Sequence, residues 1–71
     1  MITLIAMIGG RTYEVESHEN NRHYLVVKVG VGQVERNLLK DDGGGAITGY
    51  VAACKKAEAI VVEKTGSLEP A

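Results

Sequence analysis

The sequence predicts an α+β domain: a small antiparallel sheet, formed by a β-meander plus a C-terminal strand, packed against one amphipathic helix. Three observations lead there. The first half of the chain alternates between apolar and polar residues and is cut by short turn signals. A helical stripe with alanines and lysines follows a run of three glycines. A short β-branched run then comes near the end.

The first strand is read over residues 2–8. Ile2, Leu4, Ala6 and Ile8 alternate with Thr3, Ile5 and Met7, so both faces are largely apolar. Gly9-Gly10 supplies the positive φ angles of a two-residue hairpin turn. In the second strand Thr12, Glu14 and Glu16 lie on one side, and Tyr13 and Val15 on the other. That is the pattern of a half-exposed antiparallel strand. Ser17 to Asn21 is a polar turn, and a third strand follows from Arg22 to Val29. Gly30 and Gly32 mark a bend.

The segment from Gln33 to Lys40 fits either of two states. Val34 and Leu38 make a helical i, i+4 pair, while Val34, Arg36 and Leu38 alternate as in a fourth strand. Asp41 to Gly45 breaks the chain. A helix is predicted over 46–58, where Ile47, Tyr50, Val51 and Cys54 fall on one stripe. Gly49 weakens that helix or marks a close contact with the sheet. The last strand is predicted over 59–64, through Ile60, Val61 and Val62, and closes at Gly66. One domain therefore spans 1–66, followed by a flexible tail over 67–71. The alternative is a small, partly open β-barrel with one helix, in which 33–39 is a strand.

Composition narrows the function classes. The chain has 71 residues, 45% of them hydrophobic, and its eight basic and nine acidic residues leave a net charge of −1. One small domain fits that length. The balance is neither that of a basic nucleic-acid module nor that of an acidic tail. Phe and Trp are absent, so the core rests on Val, Ile and Leu with three Tyr. Such a core seldom supplies more than about 3–5 kcal/mol, which favours a staple or a partner. Cys54 is the only cysteine, so no disulfide forms within one chain. A single free thiol and a start without a signal-peptide pattern point to the cytoplasm. The apolar run at the start is shorter than the roughly 20 residues of a membrane span.

No chemical motif is complete. His18-Glu19-Asn20-Asn21-Arg22-His23 imitates a zinc-protease motif, but the second histidine comes one place late and the segment reads as a turn. His18 and His23 facing each other across a hairpin, with Glu16 or Glu19, are the remaining route to a metal, and none is expected. Cys54 lies on the apolar stripe and reads as a small core residue. Glu14 and Glu16 share a solvated strand face. No cofactor is implied, and no family signature emerges.

Three function classes remain. The first is a small non-enzymatic interaction module, homodimeric and docking on a larger protein as inhibitor, adaptor or regulatory subunit. Its surface comprises Ile5 and Met7, which one covering helix leaves bare, with Glu14 and Glu16 beside them. The second binds a nucleotide or another small anionic ligand at Gly43, Gly44 and Gly45. Thr48, Arg36 and Lys40 assist there, since amides before a helix attract anions. The P-loop Lys-Ser/Thr pair is missing, and Asp41 and Asp42 oppose phosphate. The third is single-stranded nucleic-acid binding through Arg11, Arg22, Tyr24 and Lys28 on the meander. Interleaved Glu14, Glu16 and Glu19 disfavour it.

Overall fold

The computed structural model describes residues 1–66; the tail expected over 67–71 lies outside the described residues. Four strands, β1 (Ile2–Ile8), β2 (Arg11–Ser17), β3 (His23–Val29) and β4 (Gln33–Leu38), precede one helix, α1 (Tyr50–Thr65). The strands pair antiparallel in the order β1-β2-β3-β4, and α1 lies on one face of the sheet. The α+β class is thus as expected. The sheet is open, with β1 and β4 at its edges, so the barrel alternative is set aside.

Hairpin geometry fixes the meander. Gly9 and Gly10 have φ of 60° and 76°, the positive values a two-residue turn with the correct twist requires. Ile8 then pairs with Arg11. Asn21, at φ 59°, performs the same service between β2 and β3. The ambiguous segment is a strand: Tyr24 to Val29 pair in unbroken register with Leu38 to Gln33.

Two features of β1 depart from simple alternation and have one cause. Thr3 pairs with Val15 and Leu4 with Glu14, but the next pair is Ala6 with Tyr13. Ile5 is the extra residue of a β-bulge, which shifts the phase of everything after it. Ala6, Ile5 and Ile8 consequently join the core, whereas Ile2, Leu4 and Met7 are 59%, 55% and 60% exposed. The expectation that Ile5 and Met7 share an uncovered face is corrected: Ile5 packs toward the helix and only Met7 stays bare.

The core lies between sheet and helix. Tyr13 and Val15 from β2, Leu25 and Val27 from β3, and Ala6 from β1 meet Ala53, Ala57 and Val61 of α1. Leu39, just past β4, is 1% exposed and closes one end. Alanines at two of the three buried helix positions let α1 approach the sheet closely, and this replaces the bulk that Phe or Trp would have provided.

The helix corrects four expectations. It begins at Tyr50, not at 46, because Gly49 is its N-cap in extended conformation. Gly49 makes no close approach to the sheet; a Cβ there would meet only Ala52, at 3.8 Å. The helix continues through 59–64, so the predicted C-terminal strand does not exist. Gly66 ends it in the left-handed conformation, and its N–H donates to the Val62 carbonyl at 2.6 Å. The buried stripe is also rotated from the predicted one: Val51 is 65% exposed and Cys54 only borders the core.

Between β4 and α1 the chain makes a further small hairpin. The Ile47 amide donates to the Leu39 carbonyl at 3.0 Å, and Lys40 bridges to Ala46. Asp41 to Gly45 forms the tip.

Candidate functional site

Among the described residues, one face of the sheet carries α1 and the other carries no element. Register assigns that second face residue by residue. β1 contributes Ile2, Leu4 and Met7, and β2 contributes Glu16, Glu14 and Thr12. β3 adds Tyr24, Val26 and Lys28, and β4 adds Leu38, Arg36 and Val34. The result is a grid of three rows. One outer column is entirely apolar, the next is mostly acidic, and the cations sit in the remaining two.

The charges on this face neutralise one another in the plane of the sheet. Lys28 Nζ lies 2.9 Å from Glu14 Oε1, although off the direction of a good hydrogen bond, and that oxygen is otherwise buried without a partner. Arg36 Nε donates to Glu16 Oε2 at 3.2 Å. That contact runs from β4 to β2, so the arginine stem crosses β3. Val26, which stands between Glu14 and Arg36, is only 2% exposed even though no other element among the described residues covers it. His18 Nε2 approaches Glu16 Oε1 at 2.8 Å, and the His18 ring meets Tyr24 edge to face at 5.2 Å. Partial desolvation pushes the Glu16 carboxyl up, but the hydrogen bond and charge of Arg36, followed by those of His18, outweigh it. The Glu16 carboxyl is held below its usual range.

The two histidines do not converge. His23 is buried on the helix side, with Nδ1 2.7 Å from Ser17 Oγ and Nε2 3.1 Å from the Thr48 carbonyl. His18 is exposed and belongs to the Glu16 cluster. Among the described residues, no three His, Cys, Asp or Glu side chains gather into a metal-holding group.

The glycine loop is closed on itself. Asp41 Oδ1 accepts hydrogen bonds from the amides of Gly43 and Gly45, both at 3.0 Å. Those amides are the donors that an anion would need, and a carboxylate already holds them. Residues 46–49 separate the loop from α1, so the loop does not feed directly into the helix N-terminus as expected. Lys40 borders the loop, and Thr48 is exposed with its carbonyl held by His23. Arg36 is not brought to the loop, since it pairs with Glu16 on the open face. Beside the loop an open groove of about 390 Å³ runs between Asp42 and Ile47 on one side and Ala52, Lys55 and Lys56 on the other. Lys56 Nζ reaches Asp42 Oδ1 across it at 3.3 Å.

The nucleic-acid candidates are also dispersed. Tyr24 and Lys28 share the open face, but Glu14 holds Lys28. Arg11 alternates with Thr12 onto the helix side, and Arg22 lies in the β2–β3 turn with its amide on Asn20 Oδ1 at 3.2 Å. No continuous basic track connects them.

Of the surface residues named from sequence, Met7, Glu14 and Glu16 do lie together. Ile2, Leu4 and Val34 belong with them and were not singled out. The hairpin alone does not reveal the first two: counting back from Gly9-Gly10 puts Ile8, Ala6 and Leu4 on the Tyr13 side, and it is the bulge at Ile5 that turns Leu4 and Ile2 to the open face.

Among the described residues, no helix is long and apolar enough to cross a membrane. No family model, curated protein or solved structure matches the chain.

Proposed function

We propose that the chain is a non-enzymatic interaction module that docks protein on the uncovered face of its sheet. The observation that carries this reading is the column Ile2, Leu4 and Met7, each more than half exposed, on a sheet whose helix occupies the opposite face. An apolar column bordered by ion pairs combines burial in the middle of an interface with polar groups that set register. The titratable groups support the same reading. Both His23 nitrogens, Glu16 and the Asp41 carboxylate have structural partners, and each holds a strand, turn or loop in place.

A photo-crosslinking residue placed at Met7, and separately at Glu58 on the exposed helix surface, tests the docking face in cells producing the protein. The expected result is a discrete protein adduct from position 7 that Leu4→Lys abolishes, with none from position 58. Equal labelling at both positions, or no adduct at position 7, would overturn the reading.

A further inference from the structure

We infer that the occupant of the open face is a second copy of the chain, packed face to face across a two-fold axis that runs parallel to the strands. The inference rests on the docking-face reading above and names its partner. Two closed arrangements bring these faces together with their strands aligned, and the grid of side chains discriminates between them.

An axis across the strands lays β1 over β1 of the second copy and inverts the rows. Glu14 then opposes Glu14 within a water-excluding contact, and Arg36 opposes Arg36 at its edge, two like-charge pairs. An axis along the strands keeps the rows and exchanges the columns, so β1 lies over β4 and β2 over β3. Met7 then faces Val34 of the second copy, and Ile2 faces its Leu38. Leu4 meets the aliphatic stem of its Arg36, and Glu16 meets its Tyr24. Glu14 faces its Val26, flanked by its Lys28 and Arg36. Every acidic residue is placed against a column that carries cations or a phenol, and no like charges are opposed. The sheet is self-complementary in this one arrangement.

The area sets the class of contact. Four strands about 4.8 Å apart and about 24 Å long give a face of about 450 Å² in projection. Two such faces bury about 900 Å², below the roughly 1,200 Å² at which stable specific interfaces begin, so a weak, reversible dimer is expected. Exposed Leu4 and Met7 in the isolated chain are consistent with such a reversible contact.

Sedimentation equilibrium from about 5 μM to 1 mM, with a charge-pair rescue, tests the arrangement. Met7→Glu and Val34→Lys each place a charge against an apolar residue of the second copy, and each is expected to weaken the dimer at least tenfold. The double variant Met7→Glu/Val34→Lys is expected to restore it. Within one chain these positions lie on opposite edge strands, so rescue reports contact between copies. Far-UV circular dichroism checks that each variant is folded. Dimerisation with rescue is the expected result. Dimerisation without rescue would overturn the strand-parallel axis. A monomer throughout, combined with a Met7 crosslink to a different protein, would overturn the second copy as occupant while leaving the docking face in place. Absence of any Met7 adduct would remove both.

Discussion

His23 Nε2 stands 3.1 Å from the carbonyl oxygen of Thr48, joining the start of β3 to the segment that leads into α1. A carbonyl accepts only, so Nε2 donates to it, while Nδ1 lies 2.7 Å from the Ser17 hydroxyl. One buried side chain, 5% exposed, thereby ties together the end of β2, the start of β3 and the approach to the helix. Tyr50 extends the same seam: its ring lies 6.2 Å from that of His23, and its hydroxyl is 2.6 Å from Thr3 Oγ1 on β1.

Replacing His23 by Leu keeps much of the volume and strips both hydrogen bonds. Ser17 Oγ and the Thr48 carbonyl lose their imidazole partner, at a cost of about 1–3 kcal/mol. Urea denaturation of His23→Leu is expected to show that loss, with His23→Gln recovering part of it. A variant as stable as the parent would show that the two bonds add no net stability over an apolar side chain.

Acid sensitivity follows from Glu16. Its carboxyl titrates below the usual range in the folded chain, so the unfolded chain binds the proton more readily. The resulting stability is complete above the ordinary glutamate value of about 4.3 and is lost as the pH falls through the lowered folded value. Removing the guanidinium in Arg36→Gln is expected to move the Glu16 titration upward, and His18→Ala to move it less. Carbon-13 NMR of the side-chain carboxyl, recorded on dilute protein so that association does not contribute, measures both shifts. An unmoved Glu16 titration in Arg36→Gln would show that the ion pair does not persist in solution.

At the loop, Asp41→Ala removes the acceptor for the Gly43 and Gly45 amides and is expected to cost about 1–3 kcal/mol. Gly44 lies at φ +86°, where any side chain is strained, so Gly44→Ala should cost about 1 kcal/mol although its Cβ meets nothing within 4 Å. Phosphate titration followed by amide chemical shifts decides what the loop is for. The parent chain is expected not to respond. Saturable shifts at Gly43 to Gly45 in the parent would restore the anion-binding reading.

Much of this architecture can be read from the chain, and the failures have specific causes. The turns at Gly9-Gly10 and Asn20-Asn21 demand positive φ angles, and the Glu14/Glu16 against Tyr13/Val15 alternation leaves only one way to lie on a core, so the meander is legible. In β1, alternation alone cannot reveal the inserted Ile5, because Ile5, Ala6 and Met7 are all apolar and either phase looks reasonable. Alternation therefore places Met7 on the open face, where it lies, but puts Ile5 there too and turns Leu4 and Ile2 toward the core. At the other end, Ile60-Val61-Val62 has the propensity of a strand, but Val61 continues the four-residue spacing from Ala53 and Ala57 into the core. Tertiary packing overrides local preference there. The stripe through Tyr50 and Val51 followed the largest apolar side chains, whereas the sheet accepts the smallest.

That last contrast gives a test of helix phase. Ala57 is fully buried between α1 and the sheet, so Ala57→Leu has no space to enter and is expected to cost about 1–3 kcal/mol or more. In a domain whose core supplies at most about 3–5 kcal/mol, the upper end of that loss is enough to leave a substantial fraction unfolded. Val51 is 65% exposed on the opposite side, and Val51→Lys exchanges a β-branched residue for a better helix former. Its stability is expected to change by less than about 0.5 kcal/mol. Paired thermal or urea melts of the two variants read the phase directly. Loss of structure in Val51→Lys with tolerance of Ala57→Leu would mean that the larger residues, and not the alanines, face the sheet.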